Sequence, residues 1–206
     1  MTVLGIALAA LAFVLALPPF ANMFFGGPSI ELIFERTVEN GRHFLPIYIK
    51  NRPVAHWVLR LLRVHRSTVQ GLTASFRIIE VGSGKILIPI RQAYIVTDAA
   101  GEMMQRITLP PTYSVGATIV MIGWDTGKDD PEIPECPEGV IIIPGPTSSK
   151  FSLPQGIYQA GLLIIVDGEP WVIKRHFVVG ERPEDLNWVK ETTVSRLKHI
   201  KPGDEW

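Results

Sequence analysis

No charged side chain precedes Glu31, and residues 3–17 (VLGIALAALAFVLAL) are apolar throughout. As a helix, this run reaches about 22 Å, which is shorter than the roughly 30 Å hydrocarbon layer of a bilayer. The apolar character continues through Pro18-Pro19 to Phe25. That extends the helix to about 34 Å, and membrane helices tolerate proline better than soluble helices do. The opening of the chain therefore predicts a transmembrane helix.

This prediction has two alternatives, a cleaved secretory signal and a helix buried in the domain. A signal peptide has a basic start and small residues at its cleavage site. Here no Lys or Arg precedes the run, and two prolines occupy the position of cleavage. We therefore expect an uncleaved single-pass anchor over residues 1–27, with membrane lipid as its partner. Arg36 and Arg42 favour a cytoplasmic domain by the positive-inside rule.

The charge of the whole chain is balanced, with 20 basic and 20 acidic residues, but its distribution is uneven. A net charge of zero argues against a general nucleic-acid binder. Between residues 40 and 79 there is no Asp or Glu, whereas Arg60, Arg63 and Arg66 recur there every third residue. Residues 125–138 contain six acidic residues and one basic residue. We expect either two solvated edges of one domain, or a basic edge facing anionic lipid or an acidic partner with the acidic stretch as a second contact region.

After the Gly-Gly-Pro break at residues 26–28, apolar and polar residues alternate as in half-buried strands. The predicted strands are residues 29–35, 44–49, 72–78, 85–90, 93–97, 117–124, 140–143, 157–166 and 171–179. Asp167-Gly168 between the last two is a hairpin signal. Many short strands without intervening helices indicate an antiparallel sandwich or barrel. We assign it to one domain over residues 28–180.

Two segments depart from the strand pattern. Residues 56–66 (HWVLRLLRVHR) fit a strand and loop with an exposed basic edge, which their β-branched surroundings favour, or a short amphipathic helix lying on a membrane. Residues 181–206 contain Pro183 at a helix start, acidic residues just after it and Lys198 near a helix end. These signals predict a short C-terminal helix.

Residues 153–158 (LPQGIY) lead into an alternation from Tyr158 to Val166. Here the chain resembles the immunoglobulin-like and fibronectin type III-like sandwiches. The resemblance implies that the Tyr158 hydroxyl bonds back to the backbone and fixes a corner between two sheets. The chain departs from antibody-type domains in having one cysteine, Cys136, and extra strands between residues 93 and 143, which indicate an inserted hairpin or an added strand pair. Such domains usually serve binding, spacing or assembly and often lie outside the cell, so the side of the membrane stays open.

One motif indicates a reaction. Residues 124–127 (WDTG) resemble the Asp-Thr-Gly loop of retroviral-type aspartic proteases, in which two carboxylates share a proton, so that one copy per chain requires a dimer. Lys128 stands where those enzymes usually carry a small residue, and an Asp-Thr-Gly triplet is also ordinary turn chemistry. A dimeric protease using Asp125 is the alternative function.

The rest of the sequence indicates no further chemistry. The five histidines show no paired ligand spacing, and neither a phosphate-binding loop nor a nucleophile elbow is present. We expect no metal, cofactor or small-molecule substrate. The sequence predicts a mainly β, antiparallel immunoglobulin-like sandwich with an N-terminal transmembrane helix and a short C-terminal helix. Its expected function is that of a membrane-tethered, non-catalytic binding or assembly module, with lipid and another protein as partners.

Overall fold

A computed structural model describes residues 3–39, 42–97, 103–111, 116–125, 140–142, 150–189 and 198–199. Helix α1 (Val3–Phe25) runs without interruption through both prolines. Its side chains are described from residue 12 onward, Leu15 excepted. Over the residues so described, no helix of the structure is long and apolar enough to cross a membrane.

Eight of the described strands form the first sheet, in which every pairing is antiparallel. They are β1 (Ile30–Phe34), β2 (Thr37–Glu39), β3 (Arg42–Asn51), β6 (Ile95–Thr97), β7 (Met103–Met104), β9 (Ala117–Asp125), β10 (Val140–Ile142) and β11 (Lys150–Ser152). The main order is β1-β3-β9-β10-β11. The pair β6 and β7 joins the sheet through β9, so the extra strands predicted between residues 93 and 143 are present.

Seven described strands form the second sheet, also antiparallel. They are β4 (Val69–Glu80), β5 (Ile86–Ala93), β8 (Ile107–Leu109), β12 (Gly156–Val166), β13 (Glu169–Val179), β14 (Asn187–Trp188) and β15 (Lys198–His199). The main order is β14-β13-β12-β4-β5. Among the described strands, β5 forms an edge of this sheet, which is consistent with its internal Pro89, because proline cannot donate to a further ladder.

Side chains from both sheets form one hydrophobic core, which is the general β-sandwich arrangement. The predicted alternation on β4 is confirmed, because every second residue from Leu72 to Ile78 is buried. The same holds on β12 from Tyr158 to Val166. On β1, Leu32 is buried and its two same-face neighbours pack against the core. Period-two patterning therefore assigns the buried face of these strands correctly.

The turn between β12 and β13 forms as predicted. Asp167 has a φ of 50° and Gly168 a φ of 92°, the pair of positive angles that a two-residue type I′ turn requires. The Asp167 carboxylate also accepts hydrogen bonds from the backbone N–H groups of Gln70 (2.7 Å) and Gly71 (3.1 Å). This hairpin is thereby fastened to the start of β4.

The favoured prediction for residues 56–66 is wrong, since the segment contains helix α2 (Trp57–Leu61) and no strand. The short-helix alternative is correct for these five residues. Hydrogen bonds at the end of α2 explain the outcome. The N–H groups of Arg63 and Val64 donate to the carbonyls of Arg60 and Leu59, so these carbonyls need no partner on a neighbouring strand.

The predicted C-terminal helix is also wrong for the residues described. Pro183–Asp185 form a single turn of 3-10 helix, and the chain then extends into β14, which pairs with β13. Burial of apolar side chains outweighs the helix signals here. Leu186 and Trp188 are buried in the core, and the Trp188 indole donates a hydrogen bond to the Glu35 carbonyl at 2.9 Å. A helix would not place both side chains in the sandwich.

Candidate functional site

The candidate site is the junction where α1 meets α2 and the first strands of the sandwich. Among the described side chains of α1, Ala21 alone is buried. Large apolar side chains near its end are exposed, namely Phe20 (62%), Met23 (81%) and Phe24 (63%). A water-soluble helix normally turns its apolar side toward a core. The described part of α1 instead presents apolar surface outward, which in soluble proteins marks an interaction site.

Asn22 connects α1 to the segment that follows α2. Its side-chain amide donates to the Pro18 carbonyl (3.1 Å), inside the helix, and to the Arg63 carbonyl (3.3 Å). Its side-chain oxygen accepts from the backbone N–H of His65 at 3.0 Å. One amide therefore pairs backbone groups of both segments. We call this set of contacts the Asn22 joint.

Helix α2 ends in a Schellman motif. The N–H of Val64 donates to the Leu59 carbonyl (2.9 Å), and the N–H of Arg63 donates to the Arg60 carbonyl (3.0 Å). Arg63 accordingly has a positive φ of 53°, the left-handed conformation that this motif needs at its C′ position. Leu59 packs against the apolar cluster that contains Val64, as expected for the apolar contact that accompanies such caps.

A small apolar cluster lies beneath the Asn22 joint. It contains Ala21 of α1 together with Val54 and Val64, with Leu59 and Leu62 packed against it. Within α2 these contacts partly bury Leu59, and no residue of the helix is fully buried. The opposite side carries Trp57 and Leu61, which are both exposed.

Gly26 permits the close approach of the two segments. Its N–H donates to the Asn22 carbonyl (2.8 Å), and its carbonyl accepts from the N–H of Ser67 (2.7 Å). A Cβ atom at this position would overlap the Asn22 carbonyl oxygen and lie 3.2 Å from that of His65. At Gly27 an added Cβ would meet nothing within 4 Å. Position 26 therefore has no room for any side chain, whereas position 27 has room for one.

Asn51, at the end of β3, fixes the start of the sandwich to this junction. The side chain is fully buried. Its oxygen accepts from the N–H of Ser29 (3.0 Å), and its amide donates to the carbonyls of Ser67 (2.9 Å) and Leu109 (3.1 Å). Ser29 is also held through its carbonyl, which accepts from the N–H of Arg52 at 2.8 Å.

The predicted basic residues lie at the junction but do not share one environment. Arg60 and Arg63 are exposed. Arg66 is half-buried and donates from its guanidinium to the Gly27 carbonyl at 3.1 Å. Next to them, Arg52 forms a two-point ion pair with Glu31.

Tyr158 lies away from the junction, inside the sandwich. It is fully buried, and its hydroxyl donates to the Pro154 carbonyl at 2.6 Å. This bond to the backbone four residues upstream has the geometry of a tyrosine corner. Burial, and to a smaller extent the negative charge of Glu80, raises the pKa of the Tyr158 phenol above its usual value. The hydroxyl is thus held in its neutral, donating form.

The other residues singled out in the sequence cannot be placed as a site. The backbone of Asp125 ends β9 opposite Val140, while its side chain and residues 126–139, with Lys128 and Cys136, lie outside the described part of the chain. Within the described ranges, no group of three or more His, Cys, Asp or Glu side chains is placed to hold a metal ion.

Sequence reasoning missed Asn22 and Asn51, the two residues that organise the junction. Asn22 had a visible signal, because it is the one polar side chain between residues 3 and 25. Asn51 had none, since a strand-terminal asparagine is usually exposed.

The geometry defines a class of protein: an antiparallel β-sandwich with an apolar N-terminal helix fixed to one part of it. Comparisons with protein-family models, with curated proteins and with solved structures find no match to this chain. Its function must therefore be argued from the junction itself.

Proposed function

We propose that the chain is a membrane-tethered, non-catalytic binding or assembly module, in which α1 spans the bilayer and holds the β-sandwich at its surface. The observation that carries the proposal is the outward-facing apolar end of α1. Phe20, Met23 and Phe24 are exposed, and among the described side chains of α1 only Ala21 is buried. In water this arrangement leaves apolar area hydrated, at a cost of about 25 cal/mol for each Å². Lipid would remove that cost.

The length and composition of α1 support the same proposal. Its 23 residues contain no acidic residue in the first turn and no basic residue in the last. At about 1.5 Å per residue, a helix of that length matches the roughly 30 Å hydrocarbon layer. The phenylalanines at its end then lie near one interface. Four residues separate α1 from β1, so the sandwich is held close to the bilayer.

The surfaces that such a module presents are the basic segment with Arg60, Arg63 and Arg66 and the acidic stretch over residues 125–138. The first faces lipid headgroups or an acidic partner, and the second is a further contact region. An immunoglobulin-like relationship of the sandwich is part of this proposal and is supported by the contact of Tyr158 with Pro154.

Membrane extraction tests the tether. We expect the full chain to stay in the membrane pellet through high salt and alkaline carbonate, and to be released by detergent. Val14→Arg, at a side chain of α1 that is 58% exposed, is expected to lower the inserted fraction, because an arginine in a membrane helix costs about 2.5–3.5 kcal/mol. Val38→Arg is the matched control, since Val38 is 54% exposed on β2. Recovery of the unmodified chain in the carbonate supernatant would refute the proposal.

A cleavage assay tests the non-catalytic part of the proposal. The detergent-solubilised chain and its Asp125→Asn variant are incubated with a peptide library at acidic and neutral pH. We expect neither to cleave. Cleavage by the unmodified chain that is lost with the carboxylate would establish the dimeric aspartic protease instead.

A further inference from the structure

Helix α2 exposes two large apolar side chains on one side. Trp57 is 66% exposed and Leu61 is 72% exposed, and their spacing of four residues places them on the same helix face. On the other face, Leu59 packs against the small cluster that contains Val64 and Ala21. No folding requirement explains the exposed pair, because the Schellman motif and its apolar contact use Leu59 and Val64.

The same short segment is basic. Arg60 and Arg63 are exposed beside Trp57 and Leu61, and no acidic residue occurs between residues 40 and 79. A tryptophan and a leucine combined with arginines are the composition of segments that lie in a membrane interface. There the apolar side chains enter the boundary between headgroups and acyl chains, while the arginines remain at the phosphates. A purely acidic protein surface would attract the arginines but leave the apolar pair uncovered.

The position of α2 is set by α1. The Asn22 joint pairs α1 with the backbone of Arg63 and His65, and Ala21 packs in the same apolar cluster as Val64. If the end of α1 lies at a membrane interface, α2 is therefore held at that interface too. Because its cap is already rigid, α2 loses little further conformational freedom when it contacts lipid.

We propose that α2 and its cap, residues 56–66, form a second membrane-binding element that inserts Trp57 and Leu61 into the bilayer interface and takes anionic phospholipid headgroups at Arg60 and Arg63. This inference rests on the proposed function, because it requires α1 to bring the segment to a bilayer. It makes the contact of the sandwich with the membrane a two-point contact, which fixes the orientation of the domain as well as its distance.

Lipid quenching of Trp57 fluorescence tests the inference in the full chain. The protein is reconstituted into vesicles of phosphatidylcholine, or of equal parts phosphatidylcholine and phosphatidylglycerol, each with and without acyl-chain bromine as the quencher. Trp57→Phe serves as the reference, because it retains the signal of the four other tryptophans, Trp124, Trp171, Trp188 and Trp206. The quenching lost in that variant is the contribution of Trp57. We expect a clear Trp57 contribution in the anionic vesicles and a smaller one in the neutral vesicles.

The charge variants are chosen to preserve the fold. Arg63→Asn suits the left-handed position, and it is combined with Arg60→Gln. We expect this pair to reduce the Trp57 contribution in anionic vesicles by at least about half, since each arginine near an anionic surface contributes roughly a fivefold effect. Lys85→Gln is the control. Lys85 follows the far end of β4, a strand of 12 residues that is about 36 Å long and begins after α2 in the chain, and its loss is expected to change nothing.

The outcomes separate this inference from the proposed function. The first outcome is a chain that resists carbonate extraction but is quenched equally with and without Trp57. This result overturns the inference, because α2 then faces water or another protein, but it leaves the tether intact. A Trp57 contribution that is the same in both vesicle types and in the double variant overturns the headgroup role of the arginines. Chain that carbonate removes from the vesicles overturns the proposed function.

Discussion

The buried amide of Asn51 gives the most direct test of the junction. Replacement by alanine removes its three hydrogen bonds, to the N–H of Ser29 and the carbonyls of Ser67 and Leu109. At a net value of about 1 kcal/mol for each bond, we expect Asn51→Ala to lower the free energy of unfolding by about 3 kcal/mol. For a domain of this size, that corresponds to a fall in Tm of about 6–12 °C.

The measurement is denaturant unfolding of the detergent-solubilised chain, followed by tryptophan fluorescence. Asn187→Ala is the matched control, because Asn187 is an exposed strand residue, and surface changes of this kind usually stay within about 0.5 kcal/mol. Asn51→Asp separates hydrogen bonding from volume. It keeps the acceptor for the Ser29 N–H, but it places a carboxylate against two carbonyl oxygens and loses both donors.

We therefore expect Asn51→Asp to be at least as destabilising as Asn51→Ala at neutral pH. The reasoning is refuted if Asn51→Ala unfolds within about 0.5 kcal/mol of the unmodified chain, the range of an ordinary surface change. It is also refuted if the aspartate variant is the more stable of the two.

Three further predictions use the same unfolding assay. Gly26→Ala is expected to cost about 1–3 kcal/mol, because its Cβ overlaps the neighbouring backbone, whereas Gly27→Ala has open space and stays near neutral; equal effects would contradict this. Arg63→Gly is expected to stabilise the chain by up to about 1 kcal/mol by relieving a positive φ, while Arg60→Gly inside α2 destabilises it; a loss at position 63 would be the adverse result. Tyr158→Phe is expected to cost about 1–2 kcal/mol. Because the folded pKa of this phenol is raised, its contribution is complete below about pH 10 and declines as the pH rises through the folded value; a gap that stays constant to high pH would contradict the assignment.

The strands were predictable from sequence because burial on one face imposes a period of two. Strand β12 shows this, since its alternation from Tyr158 onward matches the buried face. The sequence does not predict the short strands β2, β7, β8, β11, β14 and β15, because two or three residues are too few to show a period. The boundary signals after Pro183 favour a helix, but the burial of Leu186 and Trp188 outweighs them.

The junction was less predictable than the strands for a physical reason. Its basic residues were visible as a run of charge, but its organising contacts join residues that are distant in sequence. The bond from Asn22 to the N–H of His65 spans 43 positions, and the bond from Asn51 to the Leu109 carbonyl spans 58. No local pattern encodes such pairs, and only the fold brings them together.

A connection that served only as a tether would need no fixed conformation, and flexible Gly-rich linkers serve that purpose. Here the four residues between α1 and β1 are held at both ends. The Gly26 carbonyl accepts from Ser67, and the N–H of Ser29 donates to Asn51. The connection therefore sets the direction of the sandwich relative to α1. It follows that loosening it with Gly26→Ala leaves the chain in the membrane pellet, because α1 is unchanged as an apolar segment, yet reduces the quenching of Trp57 by brominated lipid. Quenching that survives this substitution would show that α2 reaches the bilayer without this fixed connection.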